Sequence, residues 1–135
     1  MINNYEQILE VFRKYRKNYP EIRYIVLTDL REKHHWVVCP KNERSITFTG
    51  SLDYKRLIFS TIPVLLIEDK VFGPFISLRF EFENVSIVST AIKGYALSIS
   101  FKTKEESFTQ MRNTLKDLRD GIKDYIPEKQ EGFFN

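Results

Sequence analysis

Three alternating segments followed by one amphipathic stretch fill residues 75–126, and this pattern constrains the fold more than any other feature of the chain. Apolar side chains recur at every second residue in each segment, which is the period of a strand with one buried face. They are Ile76, Leu78, Phe80 and Phe82, then Val85, Ile87 and Ala91, then Tyr95, Leu97, Ile99 and Phe101. The pattern predicts three antiparallel strands and contains no catalytic chemistry.

The connections between these segments predict tight turns and a closing helix. Glu83-Asn84 and Lys93-Gly94 are typical turn pairs, because Asn and Gly tolerate a positive φ. A T-x-x-E capping box from Thr103 to Glu106 predicts the start of the last helix. The helix has an apolar stripe and ends before Pro127. The stripe comprises Phe108, Met111, Leu115, Leu118, Ile122 and either Tyr125 or Ile126.

The first part of the chain predicts a helix and a hairpin. Residues 4–19 carry apolar side chains at helical spacing, and Asn3 with Glu6 resembles a capping pair. Residues 22–28 and 35–39 are rich in strand-forming side chains and are joined by a polar turn. Residues 45–49 are expected to add a brief extended piece.

A second helix is expected over residues 52–67, with Ser51 as its N-cap. Its apolar residues cover more than one side, so two buried sides are expected. Pro63 removes one hydrogen bond inside this segment and clashes with the preceding turn. We expect a kinked helix that continues; the alternative is that it ends near Thr61 and that residues 64–68 form a short strand.

Composition indicates one globular domain at residues 1–127, followed by a polar tail at 128–135 that contains Phe133 and Phe134. A single cysteine excludes an internal disulfide and suits a reducing cytoplasm. No apolar run is long enough for a leader or a bilayer span, so a cytoplasmic location is expected. A net charge of +3 is lower than a dedicated nucleic-acid module usually carries.

His34, His35 and Cys39 are the only clustered residues suited to metal or nucleophilic chemistry. Adjacent histidines on a strand point to opposite faces, and zinc needs three or four converging ligands. We therefore expect no catalytic, cofactor or metal site, and the chain is predicted not to be an enzyme. An enzyme that uses His35 or Cys39 remains an alternative.

The element order resembles the roadblock (dynein light chain) family, which is profilin-like and related to longins. The resemblance rests on Tyr19-Pro-Glu-Ile22 leading to Val26-Leu-Thr-Asp29, on residues 90–99 around Lys93-Gly94, and on Met111-Arg-Asn-Thr-Leu115. Longin domains typically open on strands, so the N-terminal helix favours roadblock. The resemblance implies an α+β (α/β) fold: a five-stranded, mainly antiparallel sheet with the N- and C-terminal helices on one face and the middle helix on the other.

The same resemblance implies a non-enzymatic dimeric scaffold or regulator. Roadblock dimers pair their middle helices and join their sheets edge to edge, which presents a platform to a small GTPase or a complex subunit. The expected partners are a second copy or a paralogous subunit, with a small GTPase as a further candidate, and without nucleic acid, membrane insertion or cofactor. The alternative is a monomeric inhibitor or immunity-type binding protein. The expected dimer interface comprises Tyr54, Leu57, Ile58 and Leu65.

Overall fold

The computed structural model describes residues 4–40, 48–102 and 107–127, and within these ranges it describes every side chain except those of 48–55 and 102. The helices are α1 (Tyr5–Asn18), α2 (Phe48–Ile67), α3 (Asp69–Phe72) and α4 (Phe108–Ile122). The strands are β1 (Ile22–Asp29), β2 (His34–Pro40), β3 (Leu78–Glu81), β4 (Val85–Ile92) and β5 (Tyr95–Lys102). One 3₁₀ turn, Lys123–Tyr125, follows α4. The predicted polar tail and residues 45–47 of the predicted extended piece lie outside the described residues. The extended conformation predicted for residues 48 and 49 is wrong, because both belong to α2.

The five strands form one antiparallel sheet in the order β2-β1-β5-β4-β3. β1 and β5 pair at its centre, where Ile25 lies opposite Ile99 and Leu27 opposite Leu97. The predicted hairpin of β1 and β2 is confirmed. The predicted five-stranded α+β architecture is therefore confirmed.

The terminal helices pack on one face of the sheet, and the middle helix packs on the other. The larger core lies between the sheet, α1 and α4, and its fully buried members include Phe12, Leu97 and Leu118. Across the sheet, Ile58 and Ile62 of α2 pack with Leu30 and Ala96. Burial of these side chains supplies the main stabilisation, at about 1.5–3 kcal/mol for each large apolar group.

The expectation that the strands are buried on only one side is wrong for β4 and β5. Val88 and Ile92 face the terminal helices, whereas Ile87 lies on the opposite face, and all three are buried. Ser89 and Ser98 are also fully buried on the face of α2, where their hydroxyls hydrogen-bond at 2.7 Å. Short hydroxyl side chains can be buried there because they satisfy each other.

β3 is shorter than the predicted strand over residues 75–83. Ile76 and Phe82 are exposed, and neither belongs to the ladder. The backbone N–H of Phe75 donates to Asp69 Oδ1, and the carbonyl of Ile76 accepts from Thr90 Oγ1 at 2.6 Å. The backbone groups of Phe75 and Ile76 are thus bonded to side chains, and the backbone ladder with β4 begins only at Leu78.

Two predicted capping pairs include residues that lie outside the described ones, Asn3 and residues 103–106, and the structure assigns the N-caps of α1 and α4 to other residues. Asn4 occupies the N-cap position of α1 but makes no side-chain capping bond; its amide donates to the carbonyl of Tyr125 at 2.8 Å. α4 has a complete capping box between Ser107 and Gln110, so the Thr103–Glu106 box does not start this helix.

α2 begins at Phe48, so Ser51 lies inside the helix and is not its N-cap. The helix runs through Pro63 to Ile67, which excludes the alternative of a short strand over residues 64–68. Ile62, the neighbour of the proline, is fully buried against the sheet. Packing of this kind can offset the roughly 3 kcal/mol that an interior proline costs. None of the described helices is both long enough and apolar enough to cross a bilayer.

The predicted turn at Lys93-Gly94 is confirmed. Both residues have positive φ, 50° for Lys93 and 83° for Gly94, as the tight hairpin turn requires. The Lys93 ammonium donates to the carbonyls of Lys123 and Ile126, which fastens the turn to the end of α4.

Ser107→Ala should lower the free energy of unfolding by about 1 kcal/mol, because it removes the side-chain oxygen that accepts from Gln110 N. Thr103→Ala is the matched control and should change it by less than about 0.5 kcal/mol. Urea denaturation followed by circular dichroism measures both. A larger loss for Thr103→Ala would contradict the assignment of the cap.

Two glycine-to-alanine changes should have opposite effects on the free energy of unfolding. Gly94→Ala should lower it by about 1–2 kcal/mol, because alanine resists the positive φ even though the nearest atom, Arg31 Nε, is 3.9 Å away. Gly121→Ala should raise it by up to about 1 kcal/mol, because the new methyl meets Val11 Cγ1 at an ordinary 3.7 Å within a helix. Urea denaturation measures both variants. If both substitutions changed the free energy of unfolding in the same direction, the positive φ assigned to Gly94 would be contradicted.

Candidate interaction surfaces

The side of α2 that faces away from the sheet carries exposed apolar side chains. Leu57 and Val64 lie seven residues apart and hence on one side of the helix, with Ile67 beside them. Val71 and Phe72 of α3 continue the series. The exposed fraction is 57% for Val64, 68% for Ile67 and 82% for Phe72. We call these five residues the outer stripe. Apolar side chains grouped in this way commonly mark an interaction site.

The predicted interface residues occupy different sides of α2. Ile58 is fully buried against the sheet, and Leu57 and Leu65 are half-buried. The side chain of Tyr54 lies outside the described side chains. Val64 and Ile67, the most exposed members of the outer stripe in this helix, were not predicted, although the seven-residue spacing from Leu57 through Val64 to Val71 is visible in the sequence.

β3 forms one edge of the sheet, and no described strand pairs with its outer side. It is only four residues long, and it carries an ion pair between Arg79 Nη2 and Glu81 Oε1 at 3.1 Å. An edge of this kind offers unpaired backbone groups to another strand, and its charges limit nonspecific pairing.

His35 and Cys39 do not form a joint site. The Thr28 hydroxyl contacts His35 Nδ1 at 2.8 Å on the face of α2, whereas Cys39 is buried opposite Ile25 on the face of α1. A bulge in the β1–β2 pairing between Leu27 and Thr28 places the two residues on opposite faces, although four positions separate them. Within the described parts of the chain, no group of three or more His, Cys, Asp or Glu side chains is arranged to hold a metal ion.

A second surface feature is a cleft of about 550 Å³ between α4, the end of β4 and residues 75–77. Two hydrogen bonds tie its walls together. Arg119 Nε of α4 donates to the carbonyl of Ala91 at 3.2 Å, and Thr90 Oγ1 donates to the carbonyl of Ile76. The cleft exists because β3 begins only at Leu78, so that β4 beyond Ser89 pairs with β5 alone among the described strands and its other side is open.

The cleft is lined by cations contributed by one side of α4. Arg112, Lys116 and Arg119 all line it, and none of its described lining residues is acidic. The Arg112 guanidinium also lies 5.7 Å from the centre of the Phe108 ring, a cation–π contact that restricts its position.

The carboxylates of α4 lie near α1. Burial raises the pKa of the Tyr15 hydroxyl, and the charges of Asp117 and Asp120 raise it further, which places both carboxylates within electrostatic reach of α1. α4 therefore separates its charges: negative toward Tyr15 and positive toward the cleft.

The three-dimensional fold is shared with solved structures of low sequence identity. MglB of Myxococcus xanthus superposes with a TM-score of 0.69 at 15% identity, covering 87% of this chain and 93% of that one. An MglB with a tetrameric arrangement superposes with a TM-score of 0.73 at 14% identity, covering 93% of this chain and 91% of that one. A Roadblock/LC7 domain from Streptomyces avermitilis superposes with a TM-score of 0.67 at 12% identity, covering 87% of this chain and 95% of that one.

The sequence by itself matches no protein-family model and no curated protein. The likeness therefore rests on strand order, helix placement and near-complete coverage in both directions. This chain has the fold of a roadblock domain.

Proposed function

We propose that the chain is a non-enzymatic scaffold or regulator that acts as a dimer and binds a small GTPase or a subunit of a larger complex. The observation that carries the proposal is the outer stripe, which leaves Val64, Ile67 and Phe72 more than half exposed on one chain. Burial of that area against a second copy would gain about 25 cal/mol per Å² of apolar surface. The four-residue edge strand β3 would join its counterpart and extend the sheet.

The middle helix is suited to such a role because it has apolar residues on two sides. Ile58 and Ile62 attach it to its own sheet, so the outer stripe is free to contact another molecule without unfolding the chain. If α2 were apolar on one side only, its own sheet would already bury that side and no apolar surface would remain for a partner. In the proposed dimer, Leu57 extends the contact made by Val64 and Ile67. Leu65 lies seven residues after Ile58 and hence toward the sheet, at the margin of that contact.

The similar MglB structure with a tetrameric arrangement supports self-association of this fold. Binding of a small GTPase follows from the roadblock resemblance of the sequence. Two joined sheets with paired middle helices would give a broad, two-fold platform, which suits recognition of a folded partner rather than turnover of a small substrate.

Val64→Glu combined with Ile67→Glu should convert a dimer into a monomer, because four glutamates would meet across the two-fold interface without counter-charges. Light scattering coupled to size exclusion should report twice the 16.1 kDa chain mass for the wild type and one chain mass for the variant. Both positions are exposed, so the free energy of unfolding of the single chain should change little.

Gln7→Glu combined with Asn18→Glu is the matched control, because it adds the same charge at exposed positions of α1. This control should remain dimeric. A wild type that stays monomeric at high concentration would contradict the dimer and favour the monomeric binding-protein alternative.

Partner binding should depend on the nucleotide held by the GTPase. Small GTPases from the same genome, loaded with GDP or with a non-hydrolysable GTP analogue, are passed over the immobilised protein in biolayer interferometry. We expect one of them to bind at least about tenfold more tightly in one nucleotide state, and the Val64→Glu/Ile67→Glu variant to lose that binding. Absence of any such GTPase would direct the proposal to a complex subunit instead.

A further inference from the structure

We propose that the cleft beside α4 binds an extended acidic segment of a protein partner, in which carboxylate side chains alternate with apolar ones. The cleft lies within one chain and involves neither the outer stripe nor the outer edge of β3. This proposal therefore does not depend on the proposed dimer. Its walls are already joined by the Arg119–Ala91 and Thr90–Ile76 hydrogen bonds, so the site is formed before a ligand arrives.

The charge of the cleft selects an anion. Arg112, Lys116 and Arg119 line it without an acidic neighbour among its described lining residues, and the carboxylates of α4 lie near Tyr15. Ser77 and Asn113 add uncharged polar groups to the lining. Two of the three cations are guanidinium groups, which bind carboxylates in a bidentate manner.

The spacing of the cations selects an extended ligand over a compact one. Lys116 follows Arg112 by four positions, and Arg119 follows Lys116 by three. At 1.5 Å per helical residue these steps are about 6 and 4.5 Å, and they make a row about 10 Å long on one side of α4. A single phosphate or carboxylate is too small to contact the whole row. Alternate side chains of an extended peptide are about 6.6 Å apart and match it.

The lining contributed by residues 75–77 and β4 includes apolar side chains beside Ser77 and Thr90. Ile76 is 71% exposed, and Phe75 and Ala91 lie beside it. An extended peptide presents alternate side chains to opposite sides. A segment lying in the cleft would thus direct its acidic side chains to α4 and its apolar side chains to Ile76.

Two other polyanions fit these features less well. Single-stranded nucleic acid is commonly bound by exposed aromatic rings on which bases stack, whereas the exposed side chain of this wall is the aliphatic Ile76. An anionic membrane surface is broad and cannot enter a concave cleft as a peptide can.

The test is fluorescence anisotropy with a short labelled peptide in which glutamate alternates with leucine. The same peptide with glutamine in place of glutamate is the uncharged probe. The glutamate peptide should bind, its affinity should fall as sodium chloride is raised, and the glutamine peptide should bind at least about tenfold more weakly. Equal binding of the two peptides would overturn the proposal.

Arg112→Gln combined with Lys116→Gln should weaken binding of the glutamate peptide by about tenfold. Arg119 is retained in this variant because its Nε donates to Ala91 and holds the wall. Lys14→Gln combined with Lys17→Gln removes the same charge from the exposed side of α1 and should leave the affinity within about twofold. An equal loss in both variants would show that only net charge matters and would overturn the site.

Ile76→Ser tests the apolar wall separately. The substitution should weaken binding of the leucine-containing peptide about fivefold, and it should leave the affinity for a glutamate–serine peptide unchanged. An oligothymidine or an anionic phosphatidylserine vesicle that bound more tightly than the peptide, with the same dependence on Arg112 and Lys116, would overturn the assignment to a protein partner. Light scattering of each variant should give the wild-type mass, so that loss of peptide binding is separated from loss of self-association.

Discussion

The pairing of β1 with β5 is the interaction on which the rest of the structure depends. More than seventy residues separate Ile25 from Ile99, yet they lie opposite each other at the centre of the sheet. Because β1 follows α1 and β5 leads to α4, this register brings the first and last helices onto the same face. Such a long-range contact has a high loop-closure entropy, and the large apolar core between the sheet, α1 and α4 compensates for it.

The two faces of the sheet differ in chemistry, and this difference determines what α2 can do. Large apolar side chains fill the face of α1 and α4, whereas Ser89, Ser98 and Ala96 line much of the other. Among the described side chains of α2, from residue 56 onward, Ile58 and Ile62 are the buried ones that attach it to this face. The apolar residues on its far side remain exposed. The same helix is thus part of the fold and the main candidate for association.

α4 combines a structural side with two charged sides. Met111, Leu115 and Leu118 are buried beneath it, Asp117 lies toward α1, and its cations line the cleft. The cleft itself results from a local competition: the N–H of Phe75 and the carbonyl of Ile76 bond to the side chains of Asp69 and Thr90 instead of joining the backbone ladder with β4, and β3 begins only at Leu78. A short edge strand and a basic cleft are therefore two consequences of one arrangement.

The sequence by itself determined the elements that local periodicity governs. The alternation in β5, the helical stripe of α4 and the Lys93-Gly94 turn were all predictable, and the roadblock resemblance correctly implied which helices share a face. Residues near one another in sequence carry these signals, so no knowledge of distant contacts is needed.

Only the tertiary structure decided the features that depend on competition between distant groups. Ser107 was selected as the cap of α4, α2 continued through Pro63, and β3 began only at Leu78. The tertiary structure also decided which side of α2 faces the sheet, so that Ile58 is buried and Val64 is exposed. A helix with apolar residues on two sides has two nearly equivalent orientations in sequence, and only packing against Leu30 and Ala96 selects between them.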